Sequence, residues 1–206
     1  MKSIHRFTLI ELLAVMALIA ILGSIGFGVY SYSKNKAKES ATEALMKQLE
    51  AGLEKLHDNS HYPRSSAGGF SPIIVTLATD GTVETVNFGG ETLTRQTGVS
   101  LKKQQRLQQA RFDAFVKSLD MQVINGNVDS GGAILDAWGN RIYYRSPGGF
   151  KSGGYDLISA GPDGLFGCNP NPQSSGKGKE NPNDITDVSW FRDNDGDKTS
   201  DDLFNF

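Results

Sequence analysis

The sequence predicts an α+β protein, with one long N-terminal helix packed on a small antiparallel sheet. Three observations carry that expectation. Leu12 to Tyr30 is a run of nineteen residues without a charge. The segment that follows, "AKESATEALMKQLEAGLEKL", repeats its apolar residues at helical spacing. Further on, short β-leaning runs alternate with Gly, Pro and Asp-Gly turn signals.

An α-helix rises 1.5 Å per residue, so the apolar run spans roughly 28 Å, close to the hydrocarbon thickness of a bilayer. Basic residues flank it on both sides, Lys2 and Arg6 before it and Lys34, Lys36 and Lys38 after it. Loop charge therefore does not fix its orientation. A secretory signal peptide needs a shorter apolar region that ends at a small-x-small cleavage site. Gly23-Ser24 and Gly26 offer such small residues and keep that reading open, whereas the apolar run is long and continues into the amphipathic segment without a turn. A plain signal anchor gives no reason for the carboxylate at Glu11. In the second segment Ala37, Ala41, Leu45, Leu49, Leu53 and Leu56 fall on one helical face, so a helix of about fifty residues is expected to end near His57. Pro63 stops propagation beyond it. His57 and His61 read as polar loop or capping residues rather than metal ligands, because the residues between and after them break the helix.

Between residues 68 and 100, "PIIVTLA" and "TVETVNF" flank Asp80-Gly81, a hairpin signal. "LKKQQRLQQARFDAFVKSLD" then places Leu101, Leu107, Ala110, Phe112, Phe115 and Leu119 on a helical spacing. Its basic residues are scattered, with no interleaved aromatic residues for base stacking, and read as a solvated face. The C-terminal stretch "ILDAWGNRIYYRSPGGFKSGGYDLISAGPDGLFG" reads as a turn at Asp136 and Gly139-Asn140, a strand "RIYYR", a turn at Pro147-Gly148-Gly149, a strand "YDLIS" and a turn "GPDG".

The 206 residues allow one membrane segment and one domain of moderate size. The net charge of −2 gives no basic bias toward nucleic acid. A single cysteine, Cys168, forms no intramolecular disulfide. The sequence holds no HExxH, GxSxG, Walker loop or CxxC, so no enzyme is expected.

"RFTLIELLAVMALIAIL" resembles the N-terminal motif of type IV pilins and type II secretion pseudopilins. "DAWGN", Tyr144, Pro147-Gly148, "YDL" and "GPDG" closely resemble the type II secretion major pseudopilin. The resemblance implies the type IV pilin-like fold with a C-terminal calcium loop. It implies a leader at 1–6, a transmembrane and filament-core helix at 7–30, an amphipathic stalk at 31–57 and a periplasmic globular region at 58–206. Residues 64–130 exceed what compact family members need and read as an insertion. Cleavage by a prepilin peptidase would fall between Arg6 and Phe7, with N-methylation of Phe7. Arg6 stands where the family usually has Gly.

The resemblance also answers why Glu11 sits in an apolar run. A carboxylate inside lipid costs about 2.5–3.5 kcal/mol on insertion scales. In a filament it would pair with the α-amino group of Phe7 on a neighbour and set the register. The alternative is that Glu11 reaches the interface near the helix start. For calcium, the resemblance implies Asp163 and Asp184 as carboxylate ligands and Ala160 as a carbonyl ligand. Asp187 adds a ligand or faces solvent. Asp193, Asp195 and Asp197 imitate the start of an EF-hand loop, but Lys198 and Phe204 stand where Gly and Glu are required. A second site and a solvated acidic tail both remain open.

The expected function is a structural subunit of a pseudopilus in the bacterial inner membrane, its C-terminal domain periplasmic, which drives protein export. Its expected partners are further copies of itself, prepilin peptidase, the assembly platform and ATPase, minor pseudopilins and the inner membrane. The rivals are a type IV pilin for adhesion, motility or DNA uptake, a membrane-anchored binding module and an anchored enzyme.

Overall fold

The structure is a computed structural model. It describes residues 9–97, 101–120, 124, 126–150, 153–167, 178–185, 187–191 and 202–205, with the side chains of 23–28, 59 and 188 also outside the description. Helix α1 runs Leu9–Asn59, two residues past the expected end. The chain divides into two units, Met1–Lys38 and Glu39–Phe206.

In the first unit the described large apolar side chains of α1 face outward, from Val15 at 52% exposed to Leu9 at 80%. Among the described residues, no helix is long and apolar enough to cross a membrane. The expected span at 7–30 includes Phe7, Thr8 and the side chains of 23–28, which lie outside the described residues.

In the second unit α1 buries Thr42, Leu45, Met46, Leu49, Gly52, Leu53 and Leu56. Ala37 and Ala41 were expected on this face, but both are exposed. The covered stripe starts at Thr42, where the Thr42 Oγ1 accepts the Ala137 amide at 3.1 Å.

Two sheets cover the stripe. The first has the order β1 (Ser71–Pro72), β5 (Ile142–Arg145), β6 (Asp156–Ser159) and β7 (Leu203–Phe204), all neighbours antiparallel. The second is the meander β2 (Ile74–Leu77), β3 (Val83–Asn87) and β4 (Thr92–Thr94). The Asp80-Gly81 hairpin forms between β2 and β3 as the sequence predicts. Asp80 Oδ1 accepts from Thr82 N at 2.9 Å, the side-chain-to-backbone bond that favours Asp in turns. Helix α2 (Lys103–Val116) packs on β4. The region read as an insertion thus supplies β1 to β4 and α2.

One core joins these elements. Phe88 meets Phe115 of α2 and Tyr144 of β5 edge-on, each with ring centroids 5.3 Å apart. Leu49, Leu53 and Leu56 are fully buried in the same cluster. A second cluster gathers Phe70, Ile158, Phe166, Ile185 and Phe191 under the C-terminal loop.

Candidate functional site

The "DAWGN" turn is a structural node. Asp136 is 2% exposed. Its Oδ1 accepts from the amides of Trp138 and Asn140, both at 2.8 Å. Its Oδ2 accepts from Ser159 Oγ on β6 at 2.7 Å. Asn140 Nδ2 then donates to the Gly161 carbonyl at 2.6 Å. The turn that feeds β5 is thereby tied to the end of β6 and to the start of "GPDG". Buried carboxylates need such donors, because an unpaired one is costly away from water.

The "PGG" turn is a second node. Ser146–Pro147 is a cis peptide bond. Asp156, fully buried, accepts from Arg145 Nε at 2.8 Å and from the Gly149 and Phe150 amides at 2.7 and 3.1 Å. The Arg145 guanidinium lies 4.3 Å from the centroids of both the Phe70 and Phe150 rings. A Cβ on Gly149 would stand 2.6 Å from Arg145 Cζ, so a larger residue there displaces the guanidinium from its place beside Asp156.

Two further clusters were not singled out by the sequence. Glu91 joins the segment after α1 to α2, because Arg111 Nη1 lies 2.6 Å from Glu91 Oε1 and His61 Nε2 lies 3.2 Å from Glu91 Oε2. Arg111 Nη2 donates to the His61 carbonyl at 3.1 Å. His57 stacks on Tyr62 at 4.4 Å. His57 lies in the last turn of α1 rather than in a loop, and His61 lies in the segment beyond it. The second cluster is Asn183. Its side chain accepts from Phe70 N at 2.5 Å and donates to Phe70 O at 2.9 Å, closing a gap of 113 residues. No local pattern in the sequence gives a partner so distant.

The residues expected to bind calcium lie around the turn after β6. Ala160 is buried, while Asp163, Asp184 and Asp187 are exposed. Asp163 Oδ1 accepts from Leu165 N at 2.8 Å, and Asp187 Oδ1 accepts from Ser189 N at 2.7 Å. The Ser189 amide and the Ser189 hydroxyl hold the Asp187 carboxyl below the ordinary carboxylate value. Gly164, at φ 73°, takes the left-handed conformation that the "GPDG" turn demands. Among the described residues, no three carboxylates, imidazoles or thiolates are placed to hold a metal ion. Asp193, Asp195 and Asp197 lie outside the described residues, as do Arg6, Phe7 and Cys168. Asp202, at the end of the acidic tail, is fully buried, and its Oδ2 accepts from Gly167 N at 2.7 Å. That end of the tail is not solvated. Glu11 is exposed on α1.

These nodes build a helix-bearing α+β domain whose motif residues hold turns and strands together. Comparison with known proteins gives the same direction. Residues 107–176 match the family described as "Type II secretion system (T2SS), protein G". The chain is also 26% identical over 166 residues to "Type II secretion system core protein G" of Escherichia coli (strain K12), covering 78% of this chain and 83% of that one. No solved structure matches the chain. The resemblance to type II secretion major pseudopilins, carried in the sequence by "RFTLIELL" and "DAWGN…GPDG", is shown by these matches.

Proposed function

We propose that this chain is a structural subunit of a type II secretion pseudopilus, with the type IV pilin-like fold and no catalytic role. The observation that carries the reading is the outward apolar side chains of α1 from Leu9 to Leu22 and from Val29 to Tyr32, joined in one chain to a domain similar to protein G. An exposed apolar surface of this extent is far beyond what a soluble monomer tolerates and calls for a cover. Lipid supplies it while the subunit waits in the inner membrane, and neighbouring helices supply it in a periplasmic filament. Glu11 would set the register by meeting the α-amino group of Phe7 on the next subunit. Prepilin peptidase, the assembly platform and ATPase, and minor pseudopilins are the partners such assembly requires.

A calcium ion at the C-terminal loop belongs to the reading through the resemblance and the carboxylates at 163, 184 and 187.

N-terminal peptide mass spectrometry of the protein from its native membrane tests the proposal. The expected mature chain begins at N-methylated Phe7. An uncut Met1, or a cut between residues 23 and 28, removes the basis for filament assembly. The same preparation, melted with calcium and with a chelator, tests the ion. A higher midpoint in calcium supports it, since binding the folded state alone raises stability, and an unchanged midpoint removes it.

A further inference from the structure

A groove of about 360 Å³ lies between the β2–β3 hairpin and α2. Val83 and Phe112, both nearly fully buried, form its floor with Val116. Asp80, Arg95 and Asp113 stand at its rim. Arg95 Nη1 donates to Thr82 Oγ1 at 3.0 Å, which holds the guanidinium against the hairpin. Two carboxylates against one guanidinium leave the rim acidic.

Leu107, at 52% exposed, is the large apolar side chain left open to solvent among the described residues of Glu39–Phe206. Lys103 and Arg106 are exposed beside it, in the opening turns of α2, and no acidic residue occupies the first turn. Cations there oppose the helix macrodipole. A single exposed leucine is ordinary on a protein surface. Here it sits among cations, on a chain that also carries an apolar groove of opposite charge.

We propose that Leu107 of one copy seats in this groove on the next copy, with Lys103 and Arg106 set against Asp80 and Asp113. The inference rests on the self-assembly reading above and assigns one of its surfaces. The inserted side chain and the groove are different patches, so the contact is heterologous. Repeated from copy to copy, such a contact generates a ring or an open helical array rather than a closed dimer.

The test pairs full-length chains carrying Gln104→Cys, one turn before Leu107, with chains carrying Thr79→Cys, beside Asp80 at the groove's rim, so that Leu107 and the Thr82–Arg95 bond stay in place. Both also carry Cys168→Ser, and the two are co-expressed in the native host. After oxidation, peptides joined between residues 104 and 79 are sought by mass spectrometry in sheared filaments. Positions 104 and 79 are exposed, so neither change disturbs the core. The expected result is a 104–79 link in filaments, absent from the control pair Gln104→Cys with Ser66→Cys and lost when Leu107→Ala is added. Adding Arg106→Glu should lower the yield several-fold. Filaments that form without the link overturn this contact and leave the pseudopilus reading standing. A chain with an uncut N-terminus and no filaments overturns both.

Discussion

Glu91 holds together three segments that are far apart in sequence, and its protonation state decides whether it can. Partial burial pushes its carboxyl up, but the hydrogen bond and charge of Arg111, the Arg64 amide and the charge of His61 outweigh that burial. The net effect is a folded-state value below the ordinary 4.5. A depressed carboxylate stabilises the fold above its unfolded-state value, and that contribution is lost as pH falls through the folded-state value. Wild-type protein should therefore lose urea-midpoint stability as the medium drops below 4.5, with part of the loss belonging to Glu91. Glu91→Gln should be less stable at neutral pH by about 1–3 kcal/mol, because buried Arg111 keeps only a neutral acceptor. Its acid profile should be flatter than wild type. Parallel profiles for the two proteins would show that Glu91 is not the group that titrates.

At the scale of elements, packing of α2 against α1 turns on one glycine. A Cβ on Gly52 would lie 2.4 Å from Ser118 Oγ and 2.8 Å from Phe115 Cδ2. Alanine is favoured over glycine in a helix by about 1 kcal/mol. Overpacking a filled core costs about 1–3 kcal/mol, and the Phe115 ring is locked by Phe88. Gly52→Ala should therefore destabilise on balance, and adding Ser118→Ala should recover part of the loss. A stabilised single variant in chemical denaturation would show that α2 moves aside without cost.

The elements themselves were legible because each rests on local chemistry. The stalk stripe follows from 3.6-residue periodicity, the β2–β3 hairpin from Asp80-Gly81, and the β5–β6 pair from turn residues on both sides. What stayed hidden depends on contacts between segments distant in sequence. Ala37 and Ala41 fit the stripe by spacing, yet burial also requires a wall opposite, and that wall starts at Thr42. Asn183 and Arg111 look like ordinary surface polar residues until the fold brings Phe70 and Glu91 to them. Asp136 and Asp156 were visible as parts of a motif, but their role as hydrogen-bond hubs was not.

At the scale of the molecule, the two units make opposite demands on solvent. The described large apolar side chains of Met1–Lys38 are exposed, whereas both hydrophobic clusters draw their residues from Leu45 onward. A chain that starts at Glu39 should therefore fold alone, as a water-soluble species with one cooperative transition. Cutting a helix in mid-course normally frays the new end, because its first amides lose their partners. This sequence contains a remedy at the cut. Ser40 and Glu43 have the spacing of a capping box, with the serine as N-cap and the glutamate three residues on. Glu39 and Glu43 also place negative charge where the macrodipole favours it. Thr42 would then still accept the Ala137 amide, so the first buried residue of the stripe keeps its anchor. The truncated protein should show native near-ultraviolet circular dichroism and a thermal midpoint close to that of the detergent-held full chain. Ser40→Ala in this background should lower stability by about 0.5–2 kcal/mol, and the same change in the full chain should have little effect, because residue 40 is mid-helix there. A truncated chain without a cooperative transition would mean that the apolar unit contributes to the folding of Glu39–Phe206 as well as to its surroundings.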